Sequence, residues 1–176
     1  MDSPRPTRLA PTIRHATEAD LPAVVAIYNA SIPGRLATAD TVPVTVDDRR
    51  EWFAAFDPAS RPLWVAQAGG EIAGWLGLRS FYGRPAYHRT VEVAVYVAPS
   101  FQRRGVAGRL LANAIGTAPG LGIATVLAFV FGHNEASLSL FREAGGFSDW
   151  GRLPRVAELD GVERDLLILG RRLQNR

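Results

Sequence analysis

One carboxylate stands inside a run of β-branched residues. Glu92 lies in Thr90-Val91-Glu92-Val93-Ala94-Val95-Tyr96-Val97, and a carboxylate in such surroundings is costly to bury unless it is hydrogen-bonded or functional. Burial disfavours its charged form and raises its pKa toward a range useful to a general base. The alternative is a structural carboxylate paired with an arginine such as Arg84 or Arg89. Ten residues on, Gln102-Arg103-Arg104-Gly105-Val106-Ala107-Gly108 offers a second kind of chemistry. Gly105 and Gly108 leave backbone uncovered where a helix begins, so several N–H groups can point at an anion, helped by the positive end of the helix dipole. Arg103 and Arg104 oppose that dipole by a few tenths of a kcal/mol each, a placement that a bound anion compensates. The competing reading is a solvated basic helix start. Neither GxGxxG nor GK[ST] is present, so a dinucleotide or P-loop site is not indicated.

These groups need a scaffold. Val91, Val93, Val95 and Val97 alternate with Glu92, Ala94 and Tyr96, which predicts a strand. Pro99 ends it, and a helix with Val106, Leu110 and Leu111 on its apolar side follows from about Arg104 to Thr117. Upstream, Thr12–Ala16 reads as a short strand. Thr17-Glu18-Ala19-Asp20 resembles a capping box for a helix carrying Leu21, Val24, Val25, Ile27 and Tyr28, and Ile32-Pro33-Gly34 stops it. Thr45-Val46-Asp47-Asp48 opens a second helix that buries Trp52, Phe53 and Phe56. Leu63–Gln67 and Glu71–Arg79 read as strands joined at Gly69-Gly70, and Ser80–Arg89 as a loop. Ile123–Phe131 is apolar throughout, as expected of a strand buried on both faces in parallel pairing. Asn134–Ala144 reads as a helix with Asn134 as its N-cap. Phe147–Val156 and Val162–Leu169 form a last strand pair about an Asp160-Gly161 turn. Tyr28 and Trp52 read as core residues.

The chain of 176 residues, 47% of them hydrophobic, is long enough for one domain with a substantial core, over 12–176 behind a disordered tail of 1–11. Twenty basic against 17 acidic side chains give a net charge of +3, too small for a dedicated nucleic-acid protein. No apolar run approaches the ~20 residues of a membrane span. Cysteine is absent, which removes disulfides and a Cys nucleophile and fits a reducing cytoplasm. His15, His88 and His133 have no metal-ligand spacing, so no metal is expected.

The pattern V-Y-V-x-P followed by Q-R-R-G-V-A closely resembles the acetyl-CoA signature Q/R-x-x-G-x-G/A of the GNAT acetyltransferases. The likeness runs from about Thr12 to Leu173. IYNASI at Ile27–Ile32, REWF at Arg50–Phe53, TVE at Thr90–Glu92, the Asn134…Ser137 pair and ERDLLIL at Glu163–Leu169 resemble the phosphinothricin and methionine-sulfoximine N-acetyltransferases. The resemblance implies an α/β fold with a mixed sheet in the order β-α-α-β-β-β-α-β-α-β-β, a match to the elements read above.

It further implies acetyl transfer from acetyl-CoA to the amine of an amino acid or related small molecule, by direct attack in a ternary complex. Val95, Tyr96 and Val97 would hold the pantetheine arm as an added strand, and an N–H near Tyr96 would polarise the acetyl carbonyl. Gln102 through Gly108 would hold the phosphates. Asn134 and Ser137 would contact the cofactor, although Ser137 reads equally as a solvated helix position, and Arg142 would reach the phosphates. Tyr82, Arg84, Tyr87, Thr90 and Glu92 would face the acceptor, with Arg84 placed to clamp a substrate carboxylate. A homodimer is implied as well.

Two departures from the relatives stand out. Val93-Ala94 replace a His-Ser pair that faces the acceptor, which points to a less polar substrate. Phe141 stands where many GNAT enzymes place a tyrosine general acid, so another group or water must protonate the thiolate. A protein N-terminus or polyamine acceptor, and a non-catalytic acetyl-CoA sensor, are the alternatives.

Overall fold

The computed structural model describes residues 10–173. Positions 1–9 of the expected tail lie outside the described residues. The chain runs β1 (Thr12–His15), α1 (Leu21–Ser31), α2 (Arg50–Ala54), β2 (Leu63–Ala68), β3 (Glu71–Ser80), β4 (Thr90–Val97), α3 (Val106–Thr117), β5 (Thr125–Phe131), α4 (Glu135–Ser139), β6 (Ser148–Leu159) and β7 (Val162–Arg172). One seven-stranded sheet has the order β1-β2-β3-β4-β5-β7-β6, and the expected element order holds. Among the described residues no helix is long and apolar enough to cross a membrane.

The tight turns follow from residue type. Gly69 and Gly70 take φ +59 and +84, and Asp160-Gly161 take +52 and +78, the doubly left-handed geometry of a hairpin turn. At the start of α1, Thr17 donates its N–H to Asp20 at 2.8 Å, and Arg14 grips the same carboxylate with contacts of 2.7 and 2.8 Å. This bidentate pair holds Asp20 well below the usual carboxylate range, at about 2.

β4 divides the core by parity. Val91 and Val93 pack with Leu110, Leu111 and Phe141 beneath α3, and Ala94 and Tyr96 pack with Trp75, Val65 and Ile27 beneath α1. β4 pairs with β5 in parallel over three positions, the last being Glu92↔Leu127. Beyond that point the strands are unpaired, and the sheet opens into a wedge.

Several expected boundaries move. The helix expected from about Arg104 begins at Val106, because Arg103 (φ +57) and Gly105 (φ +78) are left-handed, a conformation that breaks the helical path. The second helix is only a 3₁₀ turn and α2, and Trp52, Phe53 and Phe56 are half-buried. The helix after Asn134 changes from α to π over Leu140–Ala144, where Gly145 donates to Leu140 across five residues at 3.0 Å. A π turn takes up one inserted residue. β6 and β7 run longer than expected, and β6 tolerates Pro154 because it is an edge strand bulged between Leu153 and Ala157.

Candidate active site

Two cavities meet at β4. The smaller, of about 160 Å³, lies under α1 and α2 and is lined by Tyr28, Arg49, Trp52, Trp75, Gly77 and Arg79. The larger, of about 560 Å³, fills the wedge between β4 and β5, against Val95, Phe129, Phe131, Asn134, Ser137 and Phe141. Glu92, Ala94 and Tyr96 line both. These three residues form the wall where the spaces meet.

The β3–β4 ladder fixes which backbone groups face the wedge. Phe81 donates to Thr90 at one end of the ladder and Ala98 donates to Ala73 at the other. Antiparallel pairs alternate between bonded and non-bonded, so in this register Glu92, Ala94 and Tyr96 spend their N–H and C=O groups on β3. Val93, Val95 and Val97 therefore turn theirs toward the open side. The open amides near Tyr96 are those of its two neighbours. Tyr96's own N–H belongs to the sheet, and those of Val95 and Val97 are directed into the wedge.

Glu92 is half-buried and has no hydrogen-bond or ion-pair partner among the described residues. Burial raises its pKa, and the nearby Arg79 charge offsets part of that rise. The structural pairing with Arg84 or Arg89 is not observed, since Arg89 donates to the carbonyl of Gly122 at 3.1 Å. Tyr96 stacks on Trp75 at 4.8 Å and donates its hydroxyl to the Ala37 carbonyl at 3.0 Å. Burial pushes its pKa well above the ordinary phenol value, so the hydroxyl stays protonated. Tyr28 donates its hydroxyl to Asp40 and accepts from Thr38, Arg49 bonds Asp40 at 3.0 Å, and the Arg49 guanidinium lies 4.7 Å over the Tyr28 ring. Arg49 is thereby committed to the wall.

At the far end of the wedge, α3 has no side-chain cap, and its first bond runs from Arg109 to Gly105 at 3.1 Å. The N–H groups of Val106, Ala107 and Gly108 thus have no intrahelical partner. Gln102, Arg103, Arg104 and Gly105 are all exposed around them, whereas the Val106 side chain is buried as the first core residue of α3. Nothing lies within 4 Å of a Cβ built on Gly108, so its backbone stays open. An open strand edge leading to uncapped amides and two arginines fits a long, extended polyanion.

The family model for acetyltransferases (GNAT) matches residues 24–147. The chain belongs to the GNAT family of acetyltransferases. It is 51% identical over 163 residues, covering 92% of this chain and 99% of the relative, to YwnH of Bacillus subtilis (strain 168), a candidate phosphinothricin acetyltransferase by name. A Pseudomonas paraeruginosa methionine sulfoximine/methionine sulfone acetyltransferase is 32% identical over 162 residues, 92% of this chain and 94% of its own. Among solved structures, a GNAT phosphinothricin acetyltransferase from Sinorhizobium meliloti in complex with acetyl-CoA superposes with a TM-score of 0.88. It is 27% identical and covers 94% of this chain and 89% of that one.

In this acetyltransferase Glu92, Val95, Tyr96, Asn134, Ser137 and Tyr82 come together around the wedge. Other expected positions do not join them. Arg84 and Tyr87 are exposed and line neither cavity, and Tyr87 packs edge-on against Phe81 at 5.4 Å. Thr90 sits at the root of β4, its carbonyl held by Phe81. Arg142, expected at the phosphates, is held instead by a surface carboxylate. Asp149 binds it bidentately at 2.9 and 2.7 Å. Asn134 is the expected N-cap, accepting the Ser137 N–H at 3.2 Å, and its amide also donates to Leu36 at 3.0 Å.

Tyr28 and Trp52, read from sequence as core, line the smaller cavity, and Arg49, Trp75, Gly77 and Arg79 were not singled out at all. For the three on β3 the signal was the parity of that strand. Trp75, Gly77 and Arg79 share one face, and the register places that face beside Glu92.

Proposed function

We propose that this GNAT protein transfers acetyl from acetyl-CoA to the primary amine of an amino acid or related small molecule, by direct attack in a ternary complex. One observation carries the reading: an unpaired, half-buried carboxylate, Glu92, stands where the wedge opens beside unpaired strand backbone. Acetyl-CoA supplies the activated thioester. The open N–H and C=O groups of Val95 and Val97 are suited to an extended amide chain, and one such N–H to polarising the thioester carbonyl. The Val106–Gly108 amides, with Gln102, Arg103, Arg104 and Gly105, are suited to the phosphates.

Glu92, with its raised pKa, takes the proton from the attacking ammonium, directly or through one water. The freed amine forms the C–N bond, the nitrogen loses its second proton as the C–S bond breaks, and the thiolate takes one proton, so that one proton per turnover passes from Glu92 to solvent. Phe141 cannot supply the thiolate's proton, being a hydrocarbon ring packed on Phe147 at 5.1 Å. The Ser137 hydroxyl lines the same wall one turn earlier, and we assign the donation to it or to water entering the wedge.

The same proposal includes a single domain over 12–176, a homodimer and a cytoplasmic setting. Exposed Trp150, Leu153 and Val156 on β6 offer apolar surface for a second copy, and light scattering on a size-exclusion column tests it.

The deciding assay is release of free CoA thiol from acetyl-CoA, using amino acids, methionine sulfone and sulfoximine, phosphinothricin, polyamines and short peptides. Amine-dependent release is expected with the amino-acid group. Acetyl-CoA binding without release across the panel overturns the reading.

A further inference from the structure

Arg79 and Glu92 face one another across β3 and β4 as a directly opposed pair, with both side chains on the α1–α2 face. Residues so placed have Cβ atoms about 5 Å apart, and opposite charges there ordinarily pair. These two do not. Neither forms an ion pair or hydrogen bond with the other or with any other described residue, and both line the smaller cavity. The second cation of that cavity, Arg49, is already bonded to Asp40 and stacked on Tyr28. A free positive pole and a free negative pole therefore flank one opening.

We infer that Arg79 and Glu92 form a two-pole cradle for a zwitterionic α-amino acid, with Arg79 holding the carboxylate beside the amine that Glu92 deprotonates, and the substrate's compact apolar side chain filling the aromatic cavity. The inference rests on the acetyltransferase reading above and names the acceptor class and the residue that selects it. Trp52, Trp75, Tyr28 and Phe56 make the cavity wall largely aromatic, and its 160 Å³ is on the order of the ~150 Å³ that admits one benzene ring. Ala94 adds no polar group where Glu92 meets the wedge. Gly77 keeps the floor low, since a Cβ there would come within 2.8 Å of the Phe56 ring. A charged phosphinate side chain has no second free cation to meet inside. The guanidinium is suited to bidentate carboxylate recognition, and Arg84, exposed and outside the cavity, is not placed for that role.

The test compares L-leucine and L-methionine with the same amines lacking the carboxylate, 3-methylbutylamine and 3-(methylthio)propylamine. Wild-type kcat/KM is expected to favour the amino acid by about 10- to 100-fold, the worth of a charge-assisted contact. Arg79→Gln collapses that ratio toward one, mainly through KM, and Arg79→Lys recovers part of it. The ratio is the readout because any effect of Arg79 on Glu92's basicity changes both substrates alike. A wild-type enzyme indifferent to the carboxylate, or an Arg79→Gln variant that keeps the preference, overturns the assignment while leaving amine acetylation standing. Absence of transfer to every amine overturns both readings together. Arg79 is exposed at the cavity mouth, and an unchanged melting temperature in the variants shows the fold is kept.

Discussion

The side-chain amide of Asn134 donates to the carbonyl of Leu36 at 3.0 Å while its oxygen accepts the N–H of Ser137 at 3.2 Å. One buried residue thus caps the helix on the β5 side of the wedge and ties down the loop after α1. Tyr96 ties the next residue of that loop, Ala37, to β4, and His133 bonds the Arg35 carbonyl at 2.8 Å. The segment from Arg35 to Ala37 is therefore strapped across both arms of the opened sheet, and Leu36–Ala39 form part of the cavity wall.

Asn134→Asp keeps the capping oxygen and loses the donor, whereas Asn134→Ala loses both. The alanine variant is expected to be destabilised by about 1–2 kcal/mol, and the aspartate variant by less. Urea unfolding midpoints check the order, and hydrogen exchange across residues 35–38 should quicken in both. Exchange unchanged in the alanine variant would show that the strap does not depend on Asn134.

Glu92→Gln should abolish most amine-dependent CoA release, by about 100-fold or more, while acetyl-CoA affinity measured by calorimetry stays near wild type. A base works only when ionised, so activity is present above the Glu92 pKa and lost as pH falls through it. Because burial raises that pKa, the acidic limb of kcat/KM should lie above the ordinary carboxylate range. Arg79 opposes the rise, so Arg79→Gln should move the limb to still higher pH.

Gly105→Ala places a Cβ on a residue at φ +78. Space is available, since nothing lies within 4 Å of the added atom, so the cost is backbone strain of about 1–2 kcal/mol. The first turn of α3 should shift, and acetyl-CoA should bind several-fold more weakly. Affinity equal to wild type would remove the uncapped amides from the phosphate role.

Asp20 is ionised down to about pH 2 in the fold because Arg14 and Thr17 hold its carboxylate. Its folded pKa is depressed, so the stability it contributes is complete above the unfolded value near 4 and is lost as pH falls toward 2. With Arg14 partly exposed, about 1–2 kcal/mol is expected after solvent screening. Asp20→Asn should flatten the loss of stability between pH 4 and 2, as read from guanidinium midpoints.

By itself the sequence determined whatever depends on neighbours along the chain. The valine alternation of β4, the Gly69-Gly70 and Asp160-Gly161 turns, the Thr17–Asp20 capping box and the glycines ahead of α3 are local, because side-chain parity and backbone sterics act over a few residues. Those patterns put Glu92 on the central strand and left backbone amides uncapped at the start of α3, and the likeness to the GNAT enzymes extended them to the element order. Tertiary structure alone decided the register that sets Arg79 opposite Glu92 and the parting of β4 from β5 after Leu127. It also decided which β4 amides face the wedge, and that Arg142 is spent on Asp149. These depend on pairing between residues far apart in the chain, where a slip of one position would turn every side chain to the opposite face. No local pattern encodes that choice: the sequence pointed to Arg84 for a substrate carboxylate, and only the sheet register sets Arg79 beside the cavity.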